Sequence, residues 1–542
     1  MATLETESSV AGLRDQAFAE LRAAMPAANL EAALRCSAKL HAELPRPDQL
    51  ERNLVLVAYG GGKDSSYMLA FVRAMQLILF RVYGSTFRLR VATNRHAGMP
   101  RAVLENVDRE YQALRLYSDP ECELLLIDGN EVAPFDVDSP QREAVIARNR
   151  LDILMTGHRT FGDGRPTFCN ACNLSVFNSF GLAAAFGNGA DLIITGDSKE
   201  EQREYTVWVG RLSRRLAAVQ GPGSEGRARR PNGAGQPPQG SGLGRLLSHL
   251  DRIAQSYFTD IHGPDATDVL AERRVTTDVP EGLRFFSVYS DTAYAAGDHM
   301  EMLTGFLGFQ FDDLAFSFTE SDCGNPALMA HLRALKCERV FRRSYDEGLS
   351  EYVEFALGLM RKKDFPPALI EHMRARYEGP DAAARMRGAA AEYALETFGL
   401  TEQQLICMAY SPFAEKGAGL EEFFSREHPE LAGRVSDIHA LLARGTTPGT
   451  PELLARGTTP GTPELLADEA RGDQALTDAL EQVSGLELFQ LRVLYRSSVR
   501  RLGSSAGTDV IDAVLEGDPH KAVIRTRHAP DGPDTLEQIS GR

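Results

Sequence analysis

The run Gly60-Gly61-Gly62-Lys63-Asp64-Ser65-Ser66 follows an apolar stretch at 54–58 and precedes a second one from Tyr67 onward. Residues of these types in this order suit a polyanion. Glycines let backbone N–H groups turn inward and approach an anion closely, because no Cβ stands in the way. Ser65 and Ser66 fall where a helix should begin, so hydroxyls and unpaired N–H groups converge there. Lys63 adds a full positive charge. The chemistry indicated is phosphate binding, with a ligand-free glycine turn as the alternative.

Two common phosphate motifs do not fit. A P-loop needs Gly-x-x-x-x-Gly-Lys-Ser/Thr, whereas these glycines are contiguous and an Asp follows the Lys. The dinucleotide fingerprint can be threaded through Gly60, Gly62 and Ser65, and fails at Ser65. A second group with chemical potential is Cys169-Asn170-Ala171-Cys172. Thiolates at this spacing suit zinc or an iron–sulfur cluster, and equally a redox or persulfide-carrying pair, or no special role.

Gly60-Gly61-Gly62-Lys63-Asp64-Ser65 resembles the PP-loop of the N-type ATP pyrophosphatases, Ser-Gly-Gly-x-Asp-Ser, with Gly60 where the family carries Ser. The resemblance extends to the branch that thiolates tRNA. There a Cys-x-x-Cys precedes a helix and a Gly-Ala-Asp strand, here Gly189-Ala190-Asp191. That strand ends in Gly-His-x-x-Asp-Asp, matched by Gly196, with Asp197 for the His and Glu200 and Glu201 for the acidic pair. It implies ATP and Mg²⁺ as cofactors, with Asp197, Glu200 and Glu201 on the magnesium. The alternative for these acids is a solvated helix N-terminus. A third cysteine, Cys323, is implied to join Cys169 and Cys172 on a [4Fe-4S] cluster or Zn²⁺. A closed zinc site would draw its fourth ligand from His158 or His331. The adenine is implied to lie beside the strand end at Thr93.

The implied reaction is attack of a carbonyl or amide oxygen on the α-phosphate of ATP, giving an adenylate and pyrophosphate, with Lys63, Asp64 and Ser65 catalytic. Sulfur then replaces the activated oxygen, supplied with the help of the cysteines or a donor protein. A nitrogen nucleophile with structural zinc and an ammonia donor is the second reading, and a nucleotide-binding regulator without catalysis the third.

These residues must be held by an alternating framework. Strands are expected at 54–58, 87–93, 123–127, 191–195 and 284–289. Helices are expected at 67–80, 101–114, 141–156, 174–186 and 298–307. Strands separated by helices of this length predict an α/β fold with a parallel, Rossmann-like (HUP-type) sheet. Ligands in such sheets sit beyond the strands' carboxyl ends. The expected organisation is an N-terminal helical segment (1–48), the nucleotide-binding catalytic domain (49–345) with a disordered insertion at 220–244, a helical domain (346–528) and a polar, frayed tail (529–542). Ala443–Leu454 recurs as Ala455–Leu466, a linker repeat near 443–467.

Composition narrows the class. The chain has 542 residues and a net charge of −16, so no global field draws it to nucleic acid or an anionic membrane, and tRNA is disfavoured as substrate. A small-molecule, carrier-linked or peptide-linked substrate is expected instead, and a homodimer is allowed. Seven cysteines in this length are no disulfide scaffold, and Cys36, Cys122, Cys337 and Cys407 read as ordinary buried residues. Neither a signal peptide nor a transmembrane run is expected, which points to the cytoplasm.

Overall fold

Strands β1 (Leu54–Tyr59), β2 (Arg88–Asn94), β3 (Cys122–Asp128), β4 (Glu131–Pro134), β5 (Leu192–Thr195) and β6 (Arg284–Ser287) form one sheet in the order β4-β3-β2-β1-β5-β6. All neighbours are parallel except β3 and β4. The computed structural model describes residues 2–195, 242–288, 300–312, 314, 324–362, 367–444, 463–499, 521–527 and 534–540. The architecture is α/β with a mixed, mostly parallel sheet. β1 lies inside it, and its uninterrupted apolar sequence fits a strand covered on both faces.

Alternation along the strands divides the core in two. Val55, Val57 and Tyr59 face a cluster with the helices α1 (Ala2–Ala24), α2 (Ala27–Glu43), α3 (Lys63–Tyr83) and α4 (Arg101–Ala113). Leu56, Ala92 and Ile193 face the other cluster, with α5 (Glu143–Arg159), α6 (Gly164–Ala185) and the helix Gly242–His262. The helices Asn325–Arg339 and Tyr345–Lys362, and later ones as far as Leu494, contribute to that same second cluster.

The ends of β1, β5 and β6 are tied together by Asp191. Its Oδ2 accepts the Leu54 N–H at 2.8 Å, and both its oxygens accept Arg46 Nη2 at 2.7 and 2.6 Å. Its backbone bonds Leu54 on one side and Arg284 on the other. Asp191→Ala is expected to lower stability by about 1–2 kcal/mol in urea unfolding, chiefly through the stranded Leu54 N–H, because the Arg46 pair is partly solvated.

Several elements depart from expectation. α3 begins at Lys63, four residues before the expected start. β4 was not expected, and α6 starts ten residues before the expected helix at 174. In place of a helix at 298–307 there is a π-helical turn, Met302–Phe306, while 289–299 lie outside the described residues. In the N-terminal helical segment Leu34 is exposed, and α2 buries Ala33, Cys36 and Leu40. The supposedly frayed tail contains β8 (Asp534–Ser540), paired antiparallel with β7 (Lys521–Arg527). The expected insertion at 220–244 lies outside the described residues up to 241, and a helix begins at Gly242; the repeat at 445–462 also lies outside them. Among the described residues one helix, α3, is long and apolar enough, by length and composition, to cross a membrane. However, 78% of its most apolar window is buried inside the fold, as a helix sandwiched between a sheet and two other helices requires.

Candidate nucleotide site

The glycine run is the turn from β1 into α3, at the carboxyl end of β1. There the chain order of the sheet reverses, with β2 on one side and β5 on the other. Gly61 has φ +77°, and Gly62 is the N-cap of α3 in extended backbone, with no side-chain cap. The first helical hydrogen bond runs from Ser66 N to the Gly62 carbonyl, at 2.9 Å. Lys63, Asp64 and Ser65 are therefore the first turn of a 21-residue helix, where N–H groups have no intrahelical acceptor. Ser65 does not cap; its hydroxyl donates back to the Gly62 carbonyl at 2.8 Å. Lys63 is largely buried, and its Nζ lies 2.9 Å from Asp64 Oδ1. The donors fit a phosphate group: a glycine cap supplies no competing acceptor, the helix dipole is positive here, and the lysine stands within the same turn. Asp64, with its side chain 43% exposed, is the carboxylate available to a magnesium ion at the turn.

The cysteine segment lies inside α6, with Cys169 and Cys172 one turn apart, rather than in a loop ahead of a helix. The run 164–173 lacks an interior Gly or Pro after Pro166, and Pro near a helix start is tolerated, so nothing stops the helix at the cysteines. α6 is fixed across the sheet at its middle and at its C-terminal end. Arg90 of β2 donates to the carbonyls of Ala183 and Phe186 at its end, at 2.9 and 3.0 Å. Ser175 donates to Asn94 Oδ1 at the carboxyl end of β2, at 3.2 Å. Cys169 is half-buried, and Asn325 Nδ2 stands 3.2 Å from the Phe168 carbonyl and 4.0 Å from Cys169 Sγ. The same Asn325 packs on Gly98, where a Cβ would run into it, and the Gly98 carbonyl accepts the Gly324 N–H at 2.9 Å. Thus the loop after β2, the start of the Asn325–Arg339 helix and the cysteine helix meet at one end of the sheet.

Gly196, Asp197, Glu200, Glu201 and Cys323 lie outside the described residues, as does the Cys172 side chain. Among the described residues no three His, Cys, Asp or Glu side chains are grouped to hold a metal. His158 is fully buried against Phe413, and burial pushes its pKa down to about 3. His331 Nδ1 is 2.7 Å from the Tyr345 hydroxyl, and burial lowers its pKa to about 4. Cys36, Cys337 and Cys407 are buried and Cys122 partly so. Asp128, at the end of β3, accepts Arg95 Nη2 at 2.6 Å and so serves an internal ion pair. The Thr93 side chain is also internal, 3.0 Å from the Tyr111 hydroxyl, which leaves only its backbone for an adenine.

A buried polar group directly beneath the turn escaped sequence reasoning. Tyr59, the last residue of β1, donates its hydroxyl to Glu110 Oε2 of α4 and lies 3.1 Å from Ser66 Oγ of α3. The signal was present: Val103, Val107, Glu110 and Leu114 form one helical stripe, and an acid occupies an apolar position in it. Burial raises the Glu110 pKa to about 7, against the lowering effect of the Tyr59 and Ser66 hydrogen bonds. Compared with known proteins, the chain matches no family model and no curated protein.

Proposed function

We propose that the chain is an ATP-dependent, adenylate-forming enzyme of the PP-loop, HUP-type class, which activates a carbonyl or amide oxygen for replacement by sulfur in the cytoplasm. The observation that carries this reading is the turn 60–65: a glycine-capped helix N-terminus with Lys63 and Asp64, at the strand-order reversal of a mostly parallel sheet. Such a turn holds the pyrophosphate portion of ATP through backbone N–H groups, and Lys63 offsets the charge that develops as pyrophosphate leaves. Asp64, with Asp197, Glu200 and Glu201, is assigned to magnesium. The sulfur half of the reading is supported by Cys169 on the helix that Ser175 ties to the carboxyl end of β2. A metal or cluster held by Cys169, Cys172 and Cys323 would supply soft-ligand coordination for a sulfur atom. The substrate is a small molecule or one linked to a carrier or peptide.

The test needs no substrate. Incubated with ATP and magnesium, the protein is expected to release AMP and pyrophosphate slowly to water. Asp64→Ala is expected to reduce that release at least about 100-fold, the scale on which one stabilising group acts. Accumulation of ADP in place of AMP would overturn the reading.

A further inference from the structure

The Tyr59–Ser66–Glu110 group has a polarity that matters to the turn above it. Glu110 is 1% exposed, and its Oε1 is buried without a hydrogen-bond partner. No cation pairs with it among the described residues. From β1 it is faced by Tyr59, from α3 by Ser66, and on its own helix by Tyr111. The neighbouring cations are committed elsewhere: Arg109 to the Gly308 carbonyl and Asn106, and Arg73 to Asp119 and Gln76. Lys63 lies beside Asp64 in the turn.

An ionised carboxylate only accepts hydrogen bonds. With Glu110 charged, the Tyr59 hydrogen points to it, and the Ser66 hydrogen follows in the same direction. Both hydroxyls then turn their hydrogens away from the glycine turn, and a buried negative charge lies under the anion site. With Glu110 protonated, its O–H donates to Tyr59, Tyr59 donates to Ser66, and the Ser66 hydrogen is released toward the helix N-terminus. The reversal removes the buried charge and turns both hydroxyl dipoles toward the turn; Ser66 is itself fully buried, so it acts on an anion there through space and not by contact.

We propose that Glu110 is a positioning residue for the phosphate turn, acting through Tyr59 and Ser66, and that binding of the nucleotide polyphosphate draws one proton from solvent onto its carboxylate. This deepens the proposed function and rests on it. Burial already holds the Glu110 carboxyl near neutrality, so the coupling falls in an accessible range. Above pH 7, ATP affinity should drop by up to about tenfold per pH unit, the limit for one linked proton. Glu110→Gln, a neutral isostere, should remove that slope and bind ATP at least about tenfold more tightly than wild type at pH 8.5. Tyr59→Phe, which interrupts the relay, should also flatten it.

The experiment is calorimetric titration of the full chain with MgATP from pH 6 to 8.5, in buffers of differing ionisation enthalpy. Comparison of wild type with Glu110→Gln cancels the ligand's own ionisation. Uptake of about one proton near pH 8 by wild type, absent in Glu110→Gln, supports the proposal. Equal slopes and equal proton uptake in wild type and Glu110→Gln would overturn the role of Glu110 while leaving the nucleotide site intact. Absence of ATP binding to wild type at every pH would overturn the nucleotide reading and this proposal together. Should Glu110→Gln fail to fold, Tyr59→Phe decides by the same slope.

Discussion

Gly61→Ala is expected to destabilise the protein by about 3 kcal/mol and to abolish ATP binding, while Gly62→Ala weakens ATP binding at little cost in stability. The two glycines are adjacent but do different work. Gly61 sits at φ +77°, and a Cβ there would stand 2.7 Å from Val103 Cγ1 and 2.9 Å from Val107 Cγ2 of α4. A left-handed alanine costs roughly 1–2 kcal/mol, and overpacking a filled core about 1–3 more. Gly62 has φ −82° and ψ 164°, which any residue adopts, so alanine there loses only a fraction of a kcal/mol or so as a poorer cap. A methyl group on this cap residue is expected to crowd a phosphate held by the N–H groups that follow it. Urea unfolding and MgATP calorimetry on both variants check this. Trimming Val103 in Gly61→Ala/Val103→Ala should recover only part of the packing loss, because Val107 Cγ2 still stands 2.9 Å from the new methyl group, and should leave the φ penalty. If Gly61→Ala folds with wild-type stability, the turn does not have this geometry.

The same contrast shows what the sequence could reveal of the site. Three glycines between an apolar run and an apolar helix announced a strand–turn–helix and the place where a phosphate would sit. They did not say that Gly61 answers to α4, a helix about forty residues away in the chain. The helix start was misread because Ser65 and Ser66 have cap-forming side chains, whereas Gly62 takes the cap position and Ser65 turns its hydroxyl back on the Gly62 carbonyl. Helix α4 was legible almost to its last residue from Val103, Leu104, Val107 and Tyr111, all buried. β4 was missed because Glu131 to Pro134 is only four residues long and ends in a proline, although Gly129 and Asn130 between paired Asp128 and Glu131 are a two-residue hairpin signal. The buried carboxyl Glu110 was half legible: its place on the apolar stripe of α4 shows in the sequence, but its partners do not, because only the fold brings the ends of β1, α3 and α4 onto one point. Pairings over long sequence separation, such as Asn325 with Cys169, leave no local pattern to read.

Asp119→Ala is expected to cost about 3–5 kcal/mol, the largest loss from a single side chain away from the turn. Asp119 lies between α4 and β3, fully buried, and accepts Arg14 Nε and Nη2 from α1 at 2.9 and 2.7 Å and Arg73 Nη1 from α3 at 2.9 Å. Removing it strands two buried guanidinium groups without their counter-charge, the circumstance in which breaking an internal ion pair is most damaging. Its ionisation supplies a second, independent check. Burial alone would raise the Asp119 pKa, but the Arg14 hydrogen bonds and the charges of Arg73 and Arg14 outweigh it and hold the pKa at about 2, against 3.8 for an unperturbed Asp. A depressed carboxyl stabilises the fold above its unfolded pKa and loses that contribution as pH falls through the folded one, here from about pH 4 to about pH 2. The difference corresponds to about 2 kcal/mol. Asp119→Asn, which keeps the shape and lacks the charge, should therefore differ from wild type most above pH 4, with the gap narrowing by about 2 kcal/mol toward pH 2. A gap that stays constant over that range would mean that shape and hydrogen bonding, rather than charge, tie α1 and α3 to the sheet.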